Sequence, residues 1–81
     1  MSRARDVVEV VARALADHPD GVRVSERSHR GQHLIELFMT PGDLGRVIGR
    51  QGRTAAAMRT LVAVAAEMEG SRATLEFRDR E

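Results

Sequence analysis

Between residues 3 and 17 apolar side chains recur at helical spacing. Val7, Val8, Val11 and Leu15 fall on one stripe, with Arg5, Asp6, Glu9 and Arg13 largely off it. The spacing predicts a helix, stopped by His18-Pro19-Asp20-Gly21, which turns the chain. Period two then takes over. Val22 and Val24 alternate with Arg23 and Ser25 as a short strand, and Ser28-His29-Arg30-Gly31 reads as a polar loop. Residues 33–39 are the most strand-like stretch, with Ile35, Leu37 and Met39 on one face and Leu34, Glu36 and Phe38 on the other.

Thr40-Pro41-Gly42-Asp43 starts the next helix. Thr40 can cap it, Pro41 suits its first position, and Asp43 stands where a capping-box acid belongs. That helix is short, because Gly49 closely follows. Another is expected from about Gly52 to Met68, with Met58, Leu61, Val62, Ala65 and Met68 as its apolar face and Gly70 as its stop. Ala73, Leu75 and Phe77 alternate with Thr74, Glu76 and Arg78 in a closing strand over 72–78. The order is α-β-β-α-α-β, an α+β fold with a three-stranded sheet and helices packed on one face. No repeat, low-complexity tract or linker divides the chain, so one domain over 1–81 is expected, with its core at about 5–78.

Composition removes several classes of chemistry. With 42% apolar residues the chain can build a small core. The absence of Cys excludes disulfides, thiol catalysis and Cys-based metal sites. No run approaches the roughly 18 apolar residues of a membrane span, and Met1-Ser2-Arg3-Ala4-Arg5-Asp6 leads into no signal-peptide core, so a cytoplasmic location is expected. The aromatic residues are Phe38 and Phe77 alone, which argues against an RRM or a single-strand OB surface. All 13 basic residues are Arg, most simply a habit of a GC-rich genome.

A formal net charge of +1 speaks against nucleic acid until it is divided by segment. Residues 44–66 carry Arg46, Arg50, Arg53 and Arg59 with no acid, whereas 67–81 carry three Arg against five acids. The basic excess surrounds Val47-Ile48-Gly49-Arg50-Gln51-Gly52, a Gly-x-x-Gly corner between two expected helices. Two readings are open. The glycines can simply permit a bend, or they can admit a phosphodiester to the free N–H groups and positive dipole end of the following helix. The glycine spacing fits neither G-x-G-x-x-G nor a Walker A loop.

The element order, the Val47-Ile48 pair and the acid-free Arg block resemble the KH domain, specifically the small bacterial stand-alone KH proteins of the KhpA type. The segment from Pro41 to Arg53, the Ala-rich stretch from Thr54 to Leu61 and the turn from Asp17 to Val24 carry the resemblance, which runs over about residues 5–78. It implies the type II arrangement and binding of about four single-stranded nucleotides. Carried over by position, Gly49, Arg50, Gln51 and Gly52 would clamp the sugar-phosphate backbone, with Arg46 and Arg53 alongside. Val47, Ile48, Thr54, Ala55 and Met58 would line the side receiving bases; the 33–39 strand and the 28–31 loop would form the opposite wall. Thr54 and Ala55 stand where many KH domains carry a larger aliphatic residue, which implies a shallow groove and weak base preference.

The remaining polar residues carry little chemistry. His29 and His33 flank the expected loop and can face each other across a hairpin, a poor metal site without partner ligands. Ser25 and Ser28 lack a base and orienting group, and Asp17 and Asp20 are turn residues, so no catalytic residue, metal or cofactor is expected. The resemblance implies an RNA chaperone or post-transcriptional regulator acting with a KhpB-type KH–R3H partner and linked to cell-envelope and cell-shape control. The alternative is a protein-interaction module that mainly dimerises, using Leu34 and Phe38 or an apolar helix face.

Overall fold

A computed structural model describes residues 2–79, Arg50 by its backbone alone. Ser2 caps the first helix, α1 (Arg3–Leu15), by accepting the Arg5 N–H at 3.1 Å. The deepest line of α1 is Ala4, Val8 and Ala12, not the expected valine stripe. Val7 and Val11 are only half-buried, and Leu15 is exposed. Alanines take the central line because their small side chains let the helix axis approach α3 and the sheet closely.

The sheet orders its strands β1 (Arg23–His29), β2 (Gln32–Met39) and β3 (Arg72–Asp79), with β1–β2 antiparallel and β2–β3 parallel. β1 is longer than its apolar pattern suggests. Ser28 and His29 continue the ladder opposite His33 and Gln32, and the expected four-residue loop contracts to Arg30-Gly31, both left-handed at φ 53° and 77°. Such a turn matches the twist of the strands it joins. The register also separates the two histidines: His33 faces Ser28, and His29 faces Gln32.

Ile35, Leu37 and Met39 of the central strand are fully buried beneath the helices, as the alternation requires. Two helices follow, α2 (Pro41–Ile48) and α3 (Arg53–Met68), linked by a turn at Arg50–Gly52. α3 buries Ala55, Met58, Val62, Ala65 and Ala66. The expected face is therefore rotated: Leu61 and Met68 stand 47% and 68% exposed. An Ala-rich helix offers more than one apolar stripe, and here the one through Met58 and Val62 is buried.

Among the described residues no helix covers the opposite sheet face. At its centre the Glu36 carboxylate accepts from Arg78 Nε at 2.6 Å and Ser25 Oγ at 3.2 Å, with Arg27 at 3.5 Å. Burial works to raise the Glu36 pKa, but the Arg78 and Ser25 hydrogen bonds outweigh it and hold the carboxyl below its usual range.

Candidate nucleic-acid interface

The corner between α2 and α3 is built by local backbone constraints. The Gly49 N–H donates to the Gly45 carbonyl at 2.7 Å, so close that a Cβ on Gly49 would stand 2.8 Å from that oxygen. Gln51 and Gly52 both adopt left-handed conformations, at φ 62° and 70°, and the Gly52 N–H donates to the Gly49 carbonyl at 3.1 Å. These two residues reverse the chain and start α3 in a new direction.

The start of α3 differs from that of the other two helices. Ser2 caps α1 and Thr40 caps α2, and each has an acid in its first turn. α3 begins at Gly52 with no side-chain cap and no acid in its first turn. Its first N–H groups therefore lack the acceptors that the other helices supply themselves, and they sit at the positive end of the helix dipole. Arg53 lies beside them, exposed, its guanidinium 3.4 Å from Gln51 Oε1.

A groove of about 410 Å³ adjoins this helix start, lined by Ile48, Gly52, Ala55, Arg59, Glu76 and Phe77. Its far wall is β3. The 33–39 strand and the 28–31 segment do not form that wall: β2 is the central strand, and the Arg30-Gly31 turn lies at the end of β2 away from α2. The wall residues escape sequence reasoning because nothing local shows that α3 lies along the β3 edge. Phe77 reads only as an alternating core position and Arg59 only as one charge of the block. In the fold the Arg59 guanidinium lies over the Phe77 ring, 5.0 Å from its centroid, and Nε donates to the Leu75 carbonyl at 3.3 Å.

The expected site residues separate into three groups. Gly49, Gln51, Gly52 and Arg53 sit together at the corner, with the Arg50 backbone between them, and Ile48 is 45% exposed at the groove mouth. Thr54 is half-buried beside Ala55. Val47 and Met58, in contrast, are buried in the core at 4% and 3% exposure, supporting the groove from beneath. Arg46 turns instead to the α1 exit, where it pairs with Asp17 and donates to the Leu15 carbonyl at 2.8 Å.

Asp43 fixes α2 in place. This buried carboxylate accepts the N–H groups of His18 at 2.9 Å and Asp17 at 3.2 Å, joining the α1 exit to the α2 start. Burial works to raise its pKa; the two backbone donors outweigh that and hold it below the usual carboxylate range. Asp17 is thus more than a turn residue, because its backbone and its carboxylate both brace α2. Among the described residues no group of three or more His, Asp or Glu is placed to hold a metal ion, and no helix is long and apolar enough to cross a membrane.

Three helices over one face of a mixed sheet, with a glycine-bounded corner between the second and third, define a KH-type domain. A crystal structure of Aquifex aeolicus Era shares this fold, at a TM-score of 0.63 and 18% identity over 94% of this chain, which spans 29% of the Era chain. The family model for the KhpA/KhpB KH domain matches residues 5–77, and the chain belongs to that family, which is non-enzymatic. Relatives named RNA-binding protein KhpA include one from Halalkalibacterium halodurans, 48% identical over 93% of this chain and 99% of its own length. The Aquifex aeolicus relative is 43% identical over 95% and 98%, and that of Mycobacterium tuberculosis 52% over 72% of each chain.

Proposed function

We propose that the chain binds short single-stranded RNA in the groove between the α2–α3 corner and β3. One observation carries this reading: α3 alone among the three helices starts without a cap or an acid, and it does so beside a glycine corner and an apolar groove. A phosphate supplies what the helix start lacks, a negatively charged acceptor. Gly49, Arg50, Gln51 and Gly52 hold the sugar-phosphate backbone, Arg53 adds charge, and Ile48 with Thr54 meets the sugars and bases. Val47 supports that surface from below, while Arg46, its charge paired with Asp17, stands outside the clamp. The relatives' names, RNA-binding protein KhpA, support the same ligand.

Contacts of this kind are mostly to the backbone, so the protein acts as an RNA chaperone or post-transcriptional regulator in the cytoplasm. The family description pairs KhpA with KhpB, which supports a KhpB-type KH–R3H partner and, through it, a role in cell-envelope and cell-shape control. The test is fluorescence anisotropy of labelled RNA octamers over a salt series, comparing wild type with the Arg50→Asp/Gln51→Asp double variant. The clamp predicts at least about a tenfold loss at low salt and a shallower dependence of log K on log salt. Equal binding by the folded double variant would sink the assignment.

A second reading concerns assembly. Ala57, Leu61, Val64 and Met68 form one stripe along the outer side of α3, with the last three 47%, 49% and 68% exposed. Half-buried Val7 and Val11 of α1 border it. We infer that a second copy covers this stripe, α3 packing antiparallel on α3. The charges favour that pairing: the N-terminal half of α3 has Arg53 and Arg59 without acids, and its C-terminal end has Glu67 followed by Glu69.

A further inference from the structure

We propose that Arg59 and Phe77 together form a stacking platform for one nucleobase, so that Arg59 acts on the base and not on the phosphate backbone. The inference rests on the RNA-binding reading above and deepens it. Arg59 belongs by sequence to the basic block, where its expected task is to neutralise phosphate. Its position in the fold gives it a different one. The guanidinium covers the Phe77 ring at 5.0 Å, and its Nε is spent on the Leu75 carbonyl at 3.3 Å, so the group is tied to the β3 wall of the groove. A guanidinium over an aromatic face is a flat, weakly hydrated surface, suited to stack a planar base.

The neighbouring charge selects the occupant. Glu76 lies on the same wall, its Oε1 accepting from Arg78 at 2.7 Å. Paired in this way, Glu76 leaves the wall without surplus positive charge beyond Arg59, whereas the α3 start across the groove offers uncapped N–H groups. The backbone is thus drawn to the α3 start across the groove, where acids are absent. Between the two lie Ile48 at the mouth and buried Ala55, an apolar surface that gives a base edge contact without competing for its hydrogen bonds. The chain has no Tyr or Trp, yet the groove still holds one π-surface, made from a half-buried Phe and an Arg.

Charge and stacking are separable by experiment. Wild type, Arg59→Lys and Arg59→Ala are titrated at low salt into a labelled adenine RNA octamer and into an octamer of abasic tetrahydrofuran phosphates of equal charge. Circular dichroism checks that each variant is folded. Stacking predicts that Arg59→Lys, which keeps the charge, loses about tenfold affinity for the base-bearing octamer and none for the abasic one, and that Arg59→Ala loses more on the base-bearing octamer than on the abasic one. Phe77→Leu, which keeps the position apolar, should reproduce the selective loss. Wild-type affinity in Arg59→Lys, or an equal loss on both octamers, would overturn the platform and return Arg59 to a phosphate role. Failure of wild type to bind either octamer would overturn the RNA-binding reading itself, whereas binding of both with equal strength would overturn only the platform.

Discussion

Three glycines within eight residues illustrate how one residue type does opposite work. Gly45 sits inside α2 with nothing within 4 Å of where a Cβ would stand, so Gly45→Ala should stabilise the fold by roughly 0.5–1 kcal/mol through lost unfolded-state entropy. Gly49→Ala forces a contact of 2.8 Å with the Gly45 carbonyl oxygen, a backbone atom that cannot swing away. It should cost about 2 kcal/mol and disturb the corner. Gly52→Ala meets no neighbour but sits at φ 70°, which costs about 1 kcal/mol for an L residue. Thermal or denaturant melts of the three variants check the ranking Gly45→Ala above wild type, then Gly52→Ala, then Gly49→Ala. The sequence marks Gly49 and Gly52 as special by spacing, but the reasons differ, and only the folded backbone separates close approach from a left-handed dihedral.

At the scale of elements, α2 is too short to hold itself and depends on Asp43. The folded-state pKa of Asp43 lies below its ordinary value of 3.8, so its stabilisation is present above that value and is lost as pH falls through the folded pKa. Melting wild type and Asp43→Asn from about pH 7 to about pH 3 tests the linkage. Wild type should be the more stable near neutrality, with the gap narrowing in acid; a pH-independent gap would mean that Asp43 does not act as an anion. The Thr40 cap on the Asp43 N–H is legible from Thr40-Pro41-Gly42-Asp43, because capping is a local matter, whereas the Asp43 carboxylate turns to the α1 exit and not back to Thr40 as a capping box would. The carboxylate's grip on the Asp17 and His18 N–H groups is not legible, since it spans 26 and 25 residues of chain. The same division holds elsewhere. Element types and order follow from local periodicity, as do the α2 limits. The buried stripe of α3, the length of β1 and the β3 wall of the groove depend on partners that no window of sequence contains.

For the whole molecule, the near-zero net charge conceals a polarity that bears on assembly. Acid-free at its N-terminal half and acidic at its C-terminal end, α3 is complementary to itself when reversed. In a two-fold pairing centred near Leu61, Arg53 of one copy falls beside Glu67 of the other on the same side of the contact, and Leu61 meets its own equivalent. Leu61→Asp then places two carboxylates together in an apolar contact, while Glu67→Arg opposes Arg53 with a like charge. Light scattering after size exclusion should give about twice the chain mass for wild type and the monomer mass for Leu61→Asp, with Glu67→Arg intermediate and salt-sensitive. Both positions are exposed, so neither substitution should disturb the core. A wild-type monomer at tens of micromolar would exclude the second copy as occupant of this stripe. A dimer would carry two grooves in one particle, and RNA long enough to span both would bind more tightly than an octamer by far more than length alone provides. Leu61→Asp should abolish that gain for long RNA and leave octamer affinity unchanged, because Leu61 does not line the groove.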